Sequence, residues 1–286
     1  MDMSIDKSKL NEFLGKYYSS ENVHERLNIA KQYAEKPMMV PVTKNLSNGY
    51  AVTYYVGQTD VSVGNFPLSL DPHTAEELAS KWGCWLPTGK VVSQIHSVAR
   101  EQGTDVNPDL LSGSGYKDPI TGEYHSPEDV ISDVGKHSAI LEYAQRVEDA
   151  LSKIDPGNSK VTVTNGKIII APTEDSQLST EDAKVFFKGI PTKVRRNERN
   201  EIEVDFAQQG LGSSPHVTSK KQPYMEYCTF IRLIDNKVSV RKPDGTTYET
   251  TYPEALRNPN TYEAFSDKPI KKIKTYIPRE EIGTPV

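Results

Sequence analysis

The chain has 286 residues, 36% of them hydrophobic, a formal net charge of −5 and two cysteines, Cys84 and Cys228. That length supports one large domain or two ordinary ones with a sizeable core. The acidic balance excludes a nucleic-acid binder with a dominant basic surface, two cysteines exclude a disulfide framework, and no window holds the ~18 apolar residues of a membrane span.

The first 36 residues read as two short amphipathic helices. Leu10, Phe13, Leu14 and Tyr17 line one; Val23, Leu27, Ala30 and Ala34 line the other, which Pro37 ends. The opening MDMSIDKSKLNEFLG lacks the basic start and apolar run of a signal peptide. The expected location is therefore the cytoplasm, or outside the cell by a route without such a signal, as for a phage component. From residue 39 the period changes to two. Met39 to Thr43 and Ala51 to Val56 are expected strands, joined by a turn at Asn48-Gly49, and Asp60 to Val63 is a third.

The stretch AEELASKWGCWLPTGKVVSQIHSVA, Ala75 to Ala99, predicts a helical hairpin. Ala75, Leu78, Ala79 and Trp82 share one face; Gly83 ends the first helix, and Thr88 can cap the second, whose apolar face is Val91, Val92, Ile95, Val98 and Ala99. Residues 102–127 then form a long surface loop without a sustained apolar period. A helix interrupted at Gly135 is expected from Ser126 to Ile154, with His137 in its apolar stripe. Beyond Lys160 the chain is mostly β. Asn165-Gly166 signals a hairpin of 161–164 with 167–170, and strands are expected at 185–189, 193–196 and 201–206. A meander over 224–250 turns at Asp235-Asn236 and Asp244-Gly245. A short helix at 253–256 and an edge strand at 270–277 close the chain.

Helices early and antiparallel strands late give an α+β fold: N-terminal helices with a small mixed segment, a central helical hairpin and a C-terminal antiparallel sheet. One compact domain over 1–286 is expected, divisible into a helical and mixed part (1–155) and a β-rich part (156–286).

Phosphate-binding, dinucleotide-binding and zinc-protease motifs are absent, and the six histidines never fall at metal-ligand spacing, so no cofactor or metal is expected. Cys84 is the most chemically suggestive residue. A thiol ahead of a helix N-terminus is biased toward the thiolate, whereas flanking Trp82 and Trp85 mark a packed, inert thiol. A cysteine hydrolase would take Cys84 or Cys228 as nucleophile and His96 or His216 as base. The hairpin also has the length of a helix-turn-helix, but its second helix offers only Lys90, Ser93, Gln94, Ser97 and Arg100 to a groove, in an acidic chain. Tyr116, Asp118, Glu123 and Tyr124, in the long loop, form a candidate platform for a sugar.

MMVPVT (38–43), AVTYYVGQTDVSVGN (51–65), GCWLPTGKVVSQI (83–95), EYCTFIRLI (226–234), LRNP (256–259) and FSDKPI (265–270) together resemble a family of bacterial proteins of about this length that has no established activity. The resemblance implies fold and class, not a reaction. The family pattern has histidine and glycine where this chain has Thr229 and Phe230, so a reaction relying on that histidine would be lost or moved to Cys228. The expected role is non-enzymatic binding or assembly in a bacterium or its phage, in the manner of a degenerate hydrolase relative. A cysteine-dependent hydrolase is the alternative, and DNA binding through the hairpin the second alternative. A protein or glycan partner or a homo-oligomer fits this role; a membrane or nucleic acid does not.

Overall fold

A computed structural model describes residues 7–20, 22–119, 121–132, 137–154, 157, 159–164, 166–171, 183–188, 194–196, 202–204, 210–214 and 229–273. The fold is α+β, as the order of helical and alternating periodicities predicts.

Helices α1 (Lys7–Ser19) and α2 (Val23–Tyr33) pack together, burying Phe13, Tyr17, Leu27 and Ala30. Asn22 starts α2 by accepting the Glu25 N–H at 2.9 Å, the ordinary N-cap arrangement. Strands β1 (Met39–Asn45) and β2 (Ala51–Gly57) form the expected hairpin, and Gly49, at φ +84°, supplies the left-handed residue in its turn. A two-residue ribbon, β3 (Ser62–Val63) with β4 (Phe66–Pro67), leads to α3 (Pro72–Lys81), which Asp71 caps through the Thr74 N–H.

The hairpin connector is more than a tight turn. After Gly83 the chain extends into β5 (Cys84–Trp85), and Thr88 then caps α4 (Gly89–Gln102) by accepting the Val91 N–H. Residues 102–127 are also structured: β6 (Asp105–Val106), a helical turn α5 (Leu111–Ser114), and a ribbon of β7 (Tyr116–Lys117) with β8 (Tyr124–His125). Leu111 is fully buried there, so this excursion is anchored to the core. The predicted long helix is described as α6 (Pro127–Ser132) and α7 (His137–Leu151).

The Asn165-Gly166 hairpin does not form among the described residues. β9 (Val163–Thr164) pairs parallel with β6, while β10 (Gly166–Ile169) pairs antiparallel with β11 (Ala183–Lys188) and parallel with β15 (Thr229–Phe230). Local turn chemistry lost to the burial of Ile168, Ile169 and Ile170, which only a larger sheet can provide. β14 (Gly210–Ser214) completes the order β14-β11-β10-β15; β12 (Val194–Arg196) and β13 (Ile202–Val204) form a separate ribbon.

The principal sheet draws on both halves of the chain. Its order is β1-β2-β16-β17, with β16 at Ile234–Arg241 and β17 at Thr247–Thr251. The turn expected at Asp235-Asn236 is absent: β16 runs through it and absorbs the polar pair as a register irregularity between Ile234 and Val238. One edge of β16 therefore takes two partners in succession, β5 at Ile234–Asp235 and β17 from Lys237 onward. The chain then enters α8 (Tyr252–Arg257) through a capping box of Thr251 and Glu254. Of the edge strand expected at 270–277, residues 270–273 form no strand and the rest lie outside the described residues.

Two apolar clusters result. Val40, Val42, Val52, Tyr54, Val238 and Val240 from the sheet meet Val91, Ile95 and Ala99 of α4, along with Tyr252 and Phe265. Each such aliphatic side chain contributes roughly 1.5–3 kcal/mol by leaving water. On the other side of α4, Val92 joins the helical cluster of α1, α2, α3 and α7 with Cys84, Leu86 and Phe230. Phe230, where the resembling family has glycine, is fully buried and stacks on Tyr143 at 6.0 Å.

Among the described residues no strand pairs with the outer edge of β1, and the chain blocks that edge itself. Bonds from Gln58 N–H to Met38 and from Leu46 N–H to Tyr50 set the phase, so Val40, Val42 and Lys44 face β2 while Met39, Pro41, Thr43 and Asn45 turn their backbone groups outward. Pro41 has no N–H to offer at the middle of that edge.

Candidate functional site

Cys84 is fully buried, its Sγ 3.5 Å from the Trp82 carbonyl and its strand zipped to Asp235 of β16. The flanking indoles do not close over it alike: Trp82 packs against the helical cluster, while Trp85 packs against the sheet cluster and donates from Nε1 to Asn236 at 3.0 Å. His96, on α4, is 1% exposed. Cys228 and His216 lie outside the described residues. Neither Cys84 nor His96 is open to a substrate.

The polar residues of α4 are engaged within the molecule. Lys90 pairs with Asp267 at 2.9 Å, Gln94 accepts from the Tyr54 hydroxyl at 2.6 Å and donates to Ala264, and Ser97 bonds back to Ser93 on its own helix. Arg100 lies 3.9 Å from Asp105. Most of the polar side chains that this helix could offer to a groove thus have partners within the molecule.

The four loop residues divide into two kinds. Tyr116 is buried, its hydroxyl 2.8 Å from that of Ser138 and its ring stacked on His125 at 4.9 Å. Asp118 is nearly buried; Oδ1 accepts the Thr121 N–H and Oδ2 lies 3.8 Å from His125 Nε2. These two hold the ribbon together, the loop using them to satisfy its own turn. Glu123 and Tyr124 face solvent, with Tyr124 63% exposed and donating to the Ser114 carbonyl. Arg146 fixes the base of this excursion by donating to Asp109, Ser114, Gly115 and Glu142.

His137, at the start of α7, packs against the rings of α1. The His137 ring sits 5.2 Å from Tyr17 and 5.6 Å from Tyr18. Burial, seconded by the charge of Arg26 and opposed by Asp118, lowers the His137 pKa to about 4. Burial likewise pushes the Tyr17 hydroxyl up to about 12, against the pull of Arg26. Arg26 itself is 8% exposed. Its place at i+3 from Val23 and i−4 from Ala30, on the apolar stripe, is the signal that could have marked it.

A second feature lies at the foot of the sheet. Arg232, 2% exposed, sits 3.0 Å from Asp60 and donates to the carbonyls of Gly57 (2.8 Å), Gln58 (2.9 Å) and Thr162 (2.8 Å). Loss of hydration lowers the guanidinium pKa, and Asp60 opposes this. The adjoining crevice, about 280 Å³ with open solvent counted, is lined by Ser62, Asn65, Val147, Leu151 and Thr164 among others. The space it encloses is that of about one water molecule. A lone arginine inside the run Ile231-Arg232-Leu233-Ile234 was the sequence signal for this junction.

Among the described residues, no group of three metal-ligating side chains is assembled and no helix is long and apolar enough to cross a membrane. No protein family, curated protein or solved structure matches the chain. The likeness carried by GCWLPTGKVVSQI therefore remains one of sequence pattern.

Proposed function

We propose that the protein works by binding or assembly, in a bacterium or its phage, and performs no covalent chemistry through Cys84. The observation that carries this reading is the burial of the Cys84 thiol: it is inside a strand pair, with no exposed surface. A nucleophile must meet its substrate, and a thiol without access is packing material. The intramolecular bonds of Lys90, Gln94 and Ser97 argue against the DNA-binding reading in the same way. Phe230 fills with a core ring the place that the resembling family leaves to glycine, which supports a relative that has given up a pocket.

The test is time-resolved labelling of the native chain with a thiol-reactive probe at neutral pH, read by peptide mass spectrometry. Cys84 should react only as fast as the chain unfolds. Labelling of either cysteine faster than free cysteine would favour the hydrolase and overturn the proposal.

A further inference from the structure

We propose that Asn48 is a site of spontaneous deamidation, and that its conversion to aspartate releases the loop 258–263 from the β1–β2 turn. Asn48 and Gly49 are both exposed at the tip of that hairpin. The chain has a second Asn-Gly pair, but its Asn165 lies outside the described residues. Glycine sets no side chain beside its own nitrogen, so nothing hinders the approach of that nitrogen to the Asn48 amide. Gly49 N gives up its proton and bonds to Asn48 Cγ, and Nδ2 takes a proton and leaves as ammonia. Water then opens the five-membered imide at one carbonyl or the other, giving aspartate or isoaspartate. Water is the one co-reactant.

The fold gives this change a consequence. Asn48 bridges two segments: Oδ1 accepts the Tyr50 N–H at 3.1 Å within the turn, and Nδ2 donates to the Asn260 carbonyl at 3.0 Å in the loop after α8. Ser47 adds a second tie by donating to Glu263 at 3.3 Å. An amide side chain both donates and accepts, whereas a carboxylate only accepts. Aspartate at this position keeps the bond from Tyr50 but turns an oxygen toward the Asn260 carbonyl. It also places a negative charge on the neighbour of Ser47, which holds Glu263. Isoaspartate goes further, because it lengthens the main chain inside a turn closed by Gly49 N–H to Leu46 at 3.1 Å and Leu46 N–H to Tyr50 at 2.8 Å. The far end of the loop stays anchored, since Gln94 donates to Ala264 and Thr88 to Phe265. Release is thus confined to 258–263. The bond from Gly49 N–H to Leu46 also makes ring closure wait for the turn to open, so the native chain converts more slowly than the unfolded one.

The experiment incubates the full chain at mildly alkaline pH, native and in urea, and follows the Asn48 peptide by mass spectrometry. The native chain should accumulate aspartate and isoaspartate there, faster as pH rises and more slowly than in urea. Hydrogen exchange is then read on the aged chain and on freshly made Asn48→Asp. The Thr261 and Tyr262 amides, which bond to the Asn258 carbonyl, should exchange about fivefold faster, the weight of one neutral hydrogen bond. Tyr50 should keep its protection in Asn48→Asp. In Asn48→Ala, Tyr50 should lose that protection, while Thr261 and Tyr262 loosen less than in Asn48→Asp. An Asn48 that stays intact in the native chain while urea converts it, or unchanged exchange at Thr261 and Tyr262 in Asn48→Asp, would overturn the proposal.

Discussion

Replacing Arg232 by methionine keeps most of the side-chain volume and removes the charge. In the native chain the guanidinium, 2% exposed, answers Asp60 and the carbonyls of Gly57, Gln58 and Thr162. Without it a buried carboxylate loses its counter-ion, and breaking one half of such a pair costs about 3–5 kcal/mol. Three carbonyls also lose a donor; water reaching the adjoining crevice can satisfy some of them, so about 4–5 kcal/mol is the expected total. For a cooperative unit of this size that corresponds to roughly 7 °C in Tm. The assay is reversible urea unfolding at pH 7, followed by tryptophan fluorescence and far-ultraviolet circular dichroism, with m compared between variants. Adding Asp60→Leu to Arg232→Met should recover part of the loss, because the stranded charge is gone. A loss below about 1 kcal/mol in the single variant, or a double variant worse than the sum of the singles, would refute the reasoning.

Four further outcomes are expected. His137 is held near pKa 4 when folded and returns toward its ordinary value of 6.5 when unfolded, so unfolding takes up a proton between these limits. Stability should therefore fall as pH drops from about 6.5 to about 4, and His137→Gln should flatten that part of the urea-stability profile relative to wild type. Thr88→Ala removes the α4 cap and the bond to the Phe265 carbonyl, and should cost about 2 kcal/mol by the same assay. Gly115→Ala places a Cβ 2.5 Å from the His125 carbonyl and from the Tyr124 hydroxyl at φ +65°; the Tyr116 and His125 ring resonances should lose their native shifts. Pro41→Thr restores an outward N–H on the β1 edge, and light scattering behind gel filtration should show concentration-dependent association absent from wild type.

The sequence was most legible where the physics is local. The periodicities of α1, α2, α3 and α4, the Thr88 cap of α4, and the Asn48-Gly49 and Asp244-Gly245 turns all depend on residues within a few positions of one another. It was least legible where long-range burial overruled local preference. Asn165-Gly166 is a strong hairpin pair, yet β9 and β10 go to different sheets. Asp235-Asn236 looks like a turn, yet β16 passes straight through. The candidate site follows the same rule. Tyr116 and Asp118 stood out by residue type, but exposure is decided by partners such as Ser138 and His125 that lie elsewhere in the chain. Arg232 went unremarked because it sits in an apolar pattern, where a charged residue reads as an interruption and not as the centre of a network.

The central position of β16 sets the order of events during synthesis. Tyr54 of β2 pairs with Val238, about 180 residues downstream, so the amino-terminal hairpin emerges without the strand that will cover its inner edge. At ribosomal speeds of about 5–20 residues per second, that edge waits on the order of ten to forty seconds. The unpaired N–H and C=O groups along β2 are on display throughout, which makes the nascent chain a client for a holding chaperone. A fragment ending near residue 155 should accordingly aggregate instead of folding, however complete its helices look on paper.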